Sequence, residues 1–473
     1  MTSNHTLPFW QASILTYLVL LFAYGYIYGA NDQMDFMPYA LHIQQPTLFT
    51  QDFYVNCLRQ RINERFILSH CIALFPENTW KALFFIIHAT CSIILISGIF
   101  TWASKFIAAY WLVLLTGFAT LILSYNINLG GNELYYNMAC GSLISKSLGI
   151  WALWHAYQSR WFISSILAIV ATYFHPIAGF QVILLSALLL NPRLYIGYLV
   201  LSVALVSPYI FFLVKDLNSR LSPELFTEIM LLRNAHHFFP AHFGLRNYIL
   251  VVPLFLIGTY CWRSMDRRLF KLSLFVLAGC IVYSIVLTIA PKLAIQTQWF
   301  KITIWLKFFS FLAIISYSSA GLNQVSIQKT VITLSILFTV FRFVQSSVSI
   351  NSILEKHRNI EYALDLKKES KPGDLYIVSP AFTEFKFYTG QSTYVDWKAI
   401  PHNGECLEEW YRRIKLAYGL TKDSMGSLQH INKIANNYLL NLSGDQKRRL
   451  KTEGITRIEV LDPQGSGPVS IKL

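Results

Sequence analysis

Long apolar runs broken by short polar segments set the pattern of this chain. They are Trp10–Ala30, Lys81–Ala103, Ile107–Leu123, Met138–Tyr157, Trp161–Tyr173, Ile177–Leu190, Leu194–Val214, Tyr248–Trp262, Phe270–Ala290, Ile302–Ala320 and Val331–Val348. Most approach the ~20 residues that cross a bilayer as a helix. The pair flanking His175-Pro176 is shorter and meets at a proline, which removes a backbone donor and breaks a helix. That pair reads as a hairpin or re-entrant element, so the pattern predicts about eleven transmembrane helices, with nine to twelve as the bounds. The first run is too long for a secretory signal core and has no basic flank, so it is expected to remain as an anchor helix.

From about Asn351 the pattern changes. Charged residues become common at Glu355-Lys356-His357-Arg358, and Lys371-Pro372-Gly373 marks a turn. Asp374 to Val378 reads as a strand, Phe385 to Trp397 alternates like further strands, and Leu407 to Leu420 has helical spacing. The prediction is a transmembrane domain over 1–350 and a small α/β domain over 351–473, large enough for its own core.

Composition agrees with a membrane protein. Of 473 residues, 54% are hydrophobic and 14% charged, with a mean hydropathy of +0.43; soluble domains carry about 25% charged residues. The net charge of +14 would suggest nucleic acid in a soluble chain. Here it resolves into short loops holding Lys105, Arg160, Arg193, Arg263, Arg267, Arg268, Lys271 and Lys329 against only Asp266. That is the asymmetry of cytoplasmic loops, and no basic run with interleaved aromatics points to nucleic acid. With the N-terminus inside, the long loops 31–80, 125–137, 215–247 and 291–301 fall outside. So does the tail, facing the periplasm or exterior of a cell's inner membrane. The seven cysteines show no metal-ligand spacing; Cys57 and Cys71 share the first outer loop and are candidates to pair, or to stay free.

The outer loops collect the candidate chemistry. Asn31-Asp32-Gln33-Met34-Asp35 places two carboxylates where the chain leaves the first span, able to ligate one cation or hold an attacking hydroxyl. Gly130-Gly131-Asn132-Glu133 puts an acid after a turn. His175, Arg233, His236-His237 and His242 fall on the same side, as do Asp52, Arg59, Arg61, Glu64 and Arg65. Converging histidines and carboxylates suit a divalent cation. Plainer uses exist for each: Asp32 as a helix cap, Glu133 as a helix-dipole partner, the His-His pair as a solvated turn, and His175 as filler of a helix break. The arginines also suit the polar face of an interfacial helix. Within the spans lie Lys146, Lys307 and Arg342 but no acid. Such cations mark a cavity or partner and suit an anionic ligand such as a lipid phosphate, with snorkelling as the alternative.

With these residues in place the chain resembles the GT-C superfamily of membrane glycosyltransferases, in particular its poorly characterised bacterial members. The likeness rests on the acidic motif after the first span, Glu133 after the third, many short helices and an outer C-terminal domain. His236-His237, Tyr394-Val395-Asp396-Trp397-Lys398 and Glu409-Trp410-Tyr411-Arg412-Arg413 add to it. The resemblance implies transfer of a sugar from a polyprenyl-phosphate donor to a glycan, lipid or protein acceptor on the non-cytoplasmic face. By it, Asp32 is the first choice for general base or metal ligand and Asp35 the second, with Glu133 beside them. The departing phosphate would fall to Lys146, Arg233, Lys301 and Lys307, with Arg59, Arg61 and His175 in support. A divalent metal such as Mg2+ or Mn2+ would sit among Asp32, Glu133, His236 and His237. The acids here are separated by two residues rather than the one usual in the family. Trp397, Trp410 and Tyr411 are candidates to stack on sugar rings or to be core. The rivals are a transporter or flippase of lipid-linked glycans, which would show repeated halves, and a non-catalytic assembly subunit.

Overall fold

The computed structural model describes residues 8–217, 221–319, 357–402, 404–461 and 468–473. The last apolar run, Val331–Val348, with Arg342 and Lys329, lies outside them. All ten other runs carry helix, and the protein is mostly helical with a small C-terminal sheet. Among the described residues five helices are long and apolar enough to cross a membrane: Glu77–Phe106, Pro192–Leu213, Leu245–Met265, Arg267–Ile289 and Pro291–Ser319. The first run is helical only over Phe9–Tyr24, because Gly25 takes φ 69° and Gly29 the same value. Sixteen residues rise about 24 Å, short of a full crossing; the remaining apolar residues of that run are not helical.

The chain divides into two compact units. One holds the described residues within Met1–Tyr26, Leu83–Pro208 and His236–Ser347; the other holds those within Ile27–Ala82, Tyr209–Ala235 and Val348–Leu473.

The first unit is a helical assembly cored by large rings. Trp102 is fully buried and packs edge-on to Trp154 and Phe309 at 5.2 and 5.1 Å. The Trp262 indole donates to the Phe309 carbonyl, so a helix-embedded polar tip is satisfied. At His175-Pro176 the helices Trp161–Phe174 and Pro176–Leu189 meet as the sequence predicts, and His175 Nδ1 caps the second by accepting from Ala178 N. The two pack so closely that a Cβ at Gly179 would stand 2.2 Å from Thr172 Cα. Only glycine fits there.

The second unit combines both the first loop and residues 209–235 with the tail. Its sheet runs in the order β2-β1-β3-β4, with β1 (Leu375–Val378) parallel to β2 (Ser392–Thr393) and β3 (Arg457–Leu461), and β4 (Pro468–Lys472) antiparallel to β3. β1 and the helix Gly404–Tyr418 stand where the periodicity places them. The strands expected over Phe385–Trp397 shrink to the two residues of β2. Phe385–Thr389 is instead a helix closed by Gly390 at φ 69°. Phe385 turns inward onto Tyr376 and Phe382, so tertiary packing overrides local alternation. The cysteine pairing also differs from the sequence expectation. Cys57 is bonded to Cys406, 349 residues away, and Cys71 is free and exposed. Proximity in sequence misled because the first loop folds onto the tail rather than onto itself.

Candidate functional site

In the tail-bearing unit the acidic motif forms a short 3-10 turn, Asn31–Asp35. Such a turn has three residues per revolution, so side chains at i and i+3 share one side. The two-residue gap between Asp32 and Asp35 therefore does what a one-residue gap does in an extended segment. Asn31 enters the turn at φ 53°, a left-handed value that asparagine tolerates better than most residues. The Gly29 amide donates to Gln33 Oε1 at 2.7 Å and ties the turn to the residues that lead into it.

Asp32 Oδ1 accepts from Lys398 Nζ at 2.6 Å, and both side chains keep partial access to solvent. Asp35 Oδ2 accepts from Arg65 Nη2 at 2.7 Å, while the Tyr54 hydroxyl donates to the Asp35 carbonyl. The tail positions Lys398 through a local clamp. Asp396 Oδ1 accepts from the Lys398 and Ala399 amides, and Arg233 donates to the carbonyls of Trp397 and Lys398, both at 2.8 Å. Arg233 also lies over the Trp397 ring at 5.4 Å. Three cations thus surround two carboxylates.

The electrostatics separate the two acids. Burial pushes Asp35 up to about 6, aided by the negative charge of Asp32 and opposed by Arg65, Lys398 and Arg233. Its Oδ1 is buried without a hydrogen-bond partner among the described residues, which is the structural cause of that penalty. For Asp32 burial also disfavours charge, but the contact with Lys398 and the fields of Arg65 and Arg233 outweigh it. Its carboxyl is held below the usual value.

A second polar centre in this unit is structural. Asp52 is fully buried, caps the helix Phe53–Arg59 through Val55 N, and accepts from both Thr393 N and Thr393 Oγ1. Lys386 Nζ bridges Asp52 Oδ1 and Asp396 Oδ2 at 3.2 and 3.4 Å. This ties the first loop to the segment that carries Lys398.

The helical unit holds Glu133. Its Oε1 accepts from Asn126 N and Asn128 Nδ2, and its Oε2 from Lys307 Nζ at 3.0 Å. Lys307 is buried and spends its other donors on the carbonyls of Ser124 and Ile127. Lys146 is equally buried and donates to Asn132 Oδ1, Glu133 O and Tyr136 OH. The two ammonium groups each have their three donors engaged by protein. They pin the 124–136 segment, and the acid that answers Lys307 comes from that loop, not from a span. Lys301 belongs to the same unit, its ammonium 5.9 Å from the Phe238 ring centre.

Gly130 and Gly131 both adopt positive φ, 82° and 59°; a Cβ on Gly131 would stand 2.7 Å from His237 Nδ1. His237 Nδ1 in turn hydrogen-bonds Gly130 O, and His236 and His237 lie with ring centres 4.0 Å apart. Beside them opens a cavity of about 280 Å³, reached by Asn126, Asn128, Glu133, His236, Phe243 and Asn247.

The four residues named for a metal are divided between the two units. Asp32 belongs to one unit and Glu133, His236 and His237 to the other, and each carboxylate already faces a lysine ammonium. Among the described residues no three His, Cys, Asp or Glu side chains gather as metal ligands. Arg59 and Arg61 are exposed near the end of the helix Phe53–Arg59, with Arg59 donating to Asn56.

Trp397, Trp410 and Tyr411 are buried, which makes them core rather than a sugar platform. The Trp410 indole donates to Asp396 O, and Arg413 bonds Glu409 and Tyr394 O. Of the groups at Asp32, periodicity gave no sign of Lys398 or Arg65 as partners. The one available hint was that Lys398 ends the Tyr394–Lys398 motif.

Residues 361–417 match a domain of unknown function, DUF6798. This stretch contains β1, β2 and the Asp396–Lys398 segment. No curated protein and no solved structure matches the chain.

Proposed function

We propose that this protein is a membrane glycosyltransferase of the GT-C type, taking a sugar from a polyprenyl-phosphate donor. The observation that carries the reading is the Asp32–Lys398 pair, partly open to solvent and flanked by Asp35, Arg65 and Arg233. An ionised carboxylate beside cations is what the reaction requires. Asp32 takes the proton of the acceptor hydroxyl as that oxygen attacks the anomeric carbon. The sugar passes through an oxocarbenium-like state. Lys398 and Arg233 stabilise charge on the departing phosphate. One displacement inverts the anomeric centre. Asp35, with its higher pKa, serves as the second acid of the pair, and acids pushed apart in this way divide the roles of base and proton holder.

The membrane arrangement in this reading has about eleven spans, a cytoplasmic N-terminus and the tail-bearing unit on the outer face of the inner membrane. Positive short loops support it, and so does the Cys57–Cys406 disulfide, a bond that persists in oxidising compartments.

The test is donor turnover in membranes containing the full chain and radiolabelled polyprenyl-phosphate sugars. Asp32→Asn is expected to lower sugar release at least about 100-fold, the lower range for loss of a general base. Undiminished turnover with a folded variant would move the assignment to a lipid-linked glycan transporter or an assembly subunit.

A further inference from the structure

We propose that the cavity in the helical unit is a binding site for a neutral polyhydroxylated ring, a single sugar residue. Its lining is rich in side-chain amides. Asn126 has no side-chain hydrogen bond among the described residues, and Asn247 uses one amide hydrogen on Phe243 O at 2.7 Å, leaving its other groups available. Asn128 spends its carbonyl oxygen on Asn132 N and one hydrogen on Glu133. A second hydrogen therefore remains. Amides offer donor and acceptor side by side, which matches hydroxyl groups, since each hydroxyl both gives and accepts.

Charge argues for a neutral ligand. Glu133 is the lone carboxylate on the lining, and Lys307 neutralises it at 3.0 Å from behind. An anion would meet that acid on a lining that carries no lysine or arginine, and the neighbouring Lys146 and Lys307 are saturated. A cation would meet an acid already paired. Among the described residues Glu133 Oε2 carries only the Lys307 bond, so an acceptor position remains for a hydroxyl.

Size and shape point the same way. About 280 Å³ falls just below the roughly 300–1,000 Å³ of cavities that take drug-sized molecules. It suits one ring rather than a chain of them. Phe243 supplies an apolar wall for the carbon-bound hydrogens of such a ring and is itself fixed by an edge contact to Phe300 at 4.8 Å. Gly131, where a Cβ would strike both histidines, lets the loop approach His236 closely enough to close one side.

This binding chemistry does not depend on Asp32 acting as a base. The experiment uses the full chain in nanodiscs and follows a panel of neutral methyl glycosides by saturation-transfer NMR. Inorganic phosphate and choline serve as charged probes. At least one glycoside is expected to bind saturably. Asn126→Gly keeps the left-handed backbone and removes the amide, and Asn247→Ala removes a second one. Each is expected to weaken that glycoside roughly tenfold, the size of one lost hydrogen bond. Asp32→Asn should leave it unchanged, so loss of turnover and loss of binding are read separately. No saturable glycoside, competition by phosphate or choline, or wild-type affinity in the Asn126→Gly/Asn247→Ala double variant would each overturn the assignment.

Discussion

At the scale of single residues, the Asp32 turn makes two expectations. Lys398→Ala removes the ammonium nearest Asp32, and donor turnover is expected to fall about 10- to 100-fold, as for loss of one charge-stabilising donor. Lys398→Arg, which keeps the charge, should retain more activity; equal losses in both variants would mean that the side chain only packs. Asp35 predicts a pH dependence of stability. Its pKa in the folded protein, about 6, exceeds that of an unfolded aspartate, so its contribution is complete below about 4 and is lost as pH rises through 6. The melting temperature of the wild type should fall across that window relative to Asp35→Asn, and parallel curves would contradict the burial of this carboxyl. The sequence showed the acids but not their cations. Asp32 and Asp35 announced themselves by standing next to an apolar span. Arg65 looked like one of several arginines, and Lys398 lies more than 360 positions away, a distance that periodicity does not bridge. Asp52 looked like another outer acid and is instead the cap and anchor of a buried network.

Among elements, the apolar rhythm was a good guide to helices because burial in lipid and burial in a helical core impose the same composition. It overestimated the first helix, since composition does not register that Gly25 and Gly29 turn the backbone left-handed. In the tail, strand alternation over Phe385–Trp397 was too weak to resist packing of Phe385 into the core. The helices Leu428–Leu440 and Gly444–Thr452 were missed, although Ser427 and the Ser443/Gln446 capping box are signals that sequence alone supplies. The Glu133–Lys307 contact ties a loop to a helix, and its energetics are testable. Glu133→Ala strands a buried ammonium and is expected to cost about 3–5 kcal/mol. Glu133→Ala with Lys307→Met should regain part of that loss in thermal unfolding. A silent Glu133→Ala would show the lysine to be satisfied by the Ser124 and Ile127 carbonyls alone.

Across the whole molecule, orientation is open to a direct measurement. Cys71 is exposed in the same unit as the disulfide, whereas Cys57 and Cys406 are bonded to each other. In intact cells a membrane-impermeant maleimide is expected to label Cys71 without reductant, and the other two only after reduction. Labelling of Cys71 from the cytoplasmic side alone would reverse the topology. Hydropathy located the apolar helices, five of them among the described residues long enough to cross a membrane. It was blind to the gathering of the first loop, residues 209–235 and the tail into one unit, because that association is carried by scattered polar contacts such as Asp52 with Thr393 and Lys386.

The long-range bond between Cys57 and Cys406 also sets a timetable for biosynthesis. At ribosomal rates of about 5–20 residues per second, a separation of 349 positions takes roughly 20–70 s to make. For that interval the first loop holds the Cys57 thiol without Cys406, and Asp52 without Lys386 and Thr393, ahead of the partners that complete it. A chain truncated before Cys406 is therefore expected to be captured by holdase chaperones and thiol oxidoreductases, and cross-linking of that truncated chain checks it.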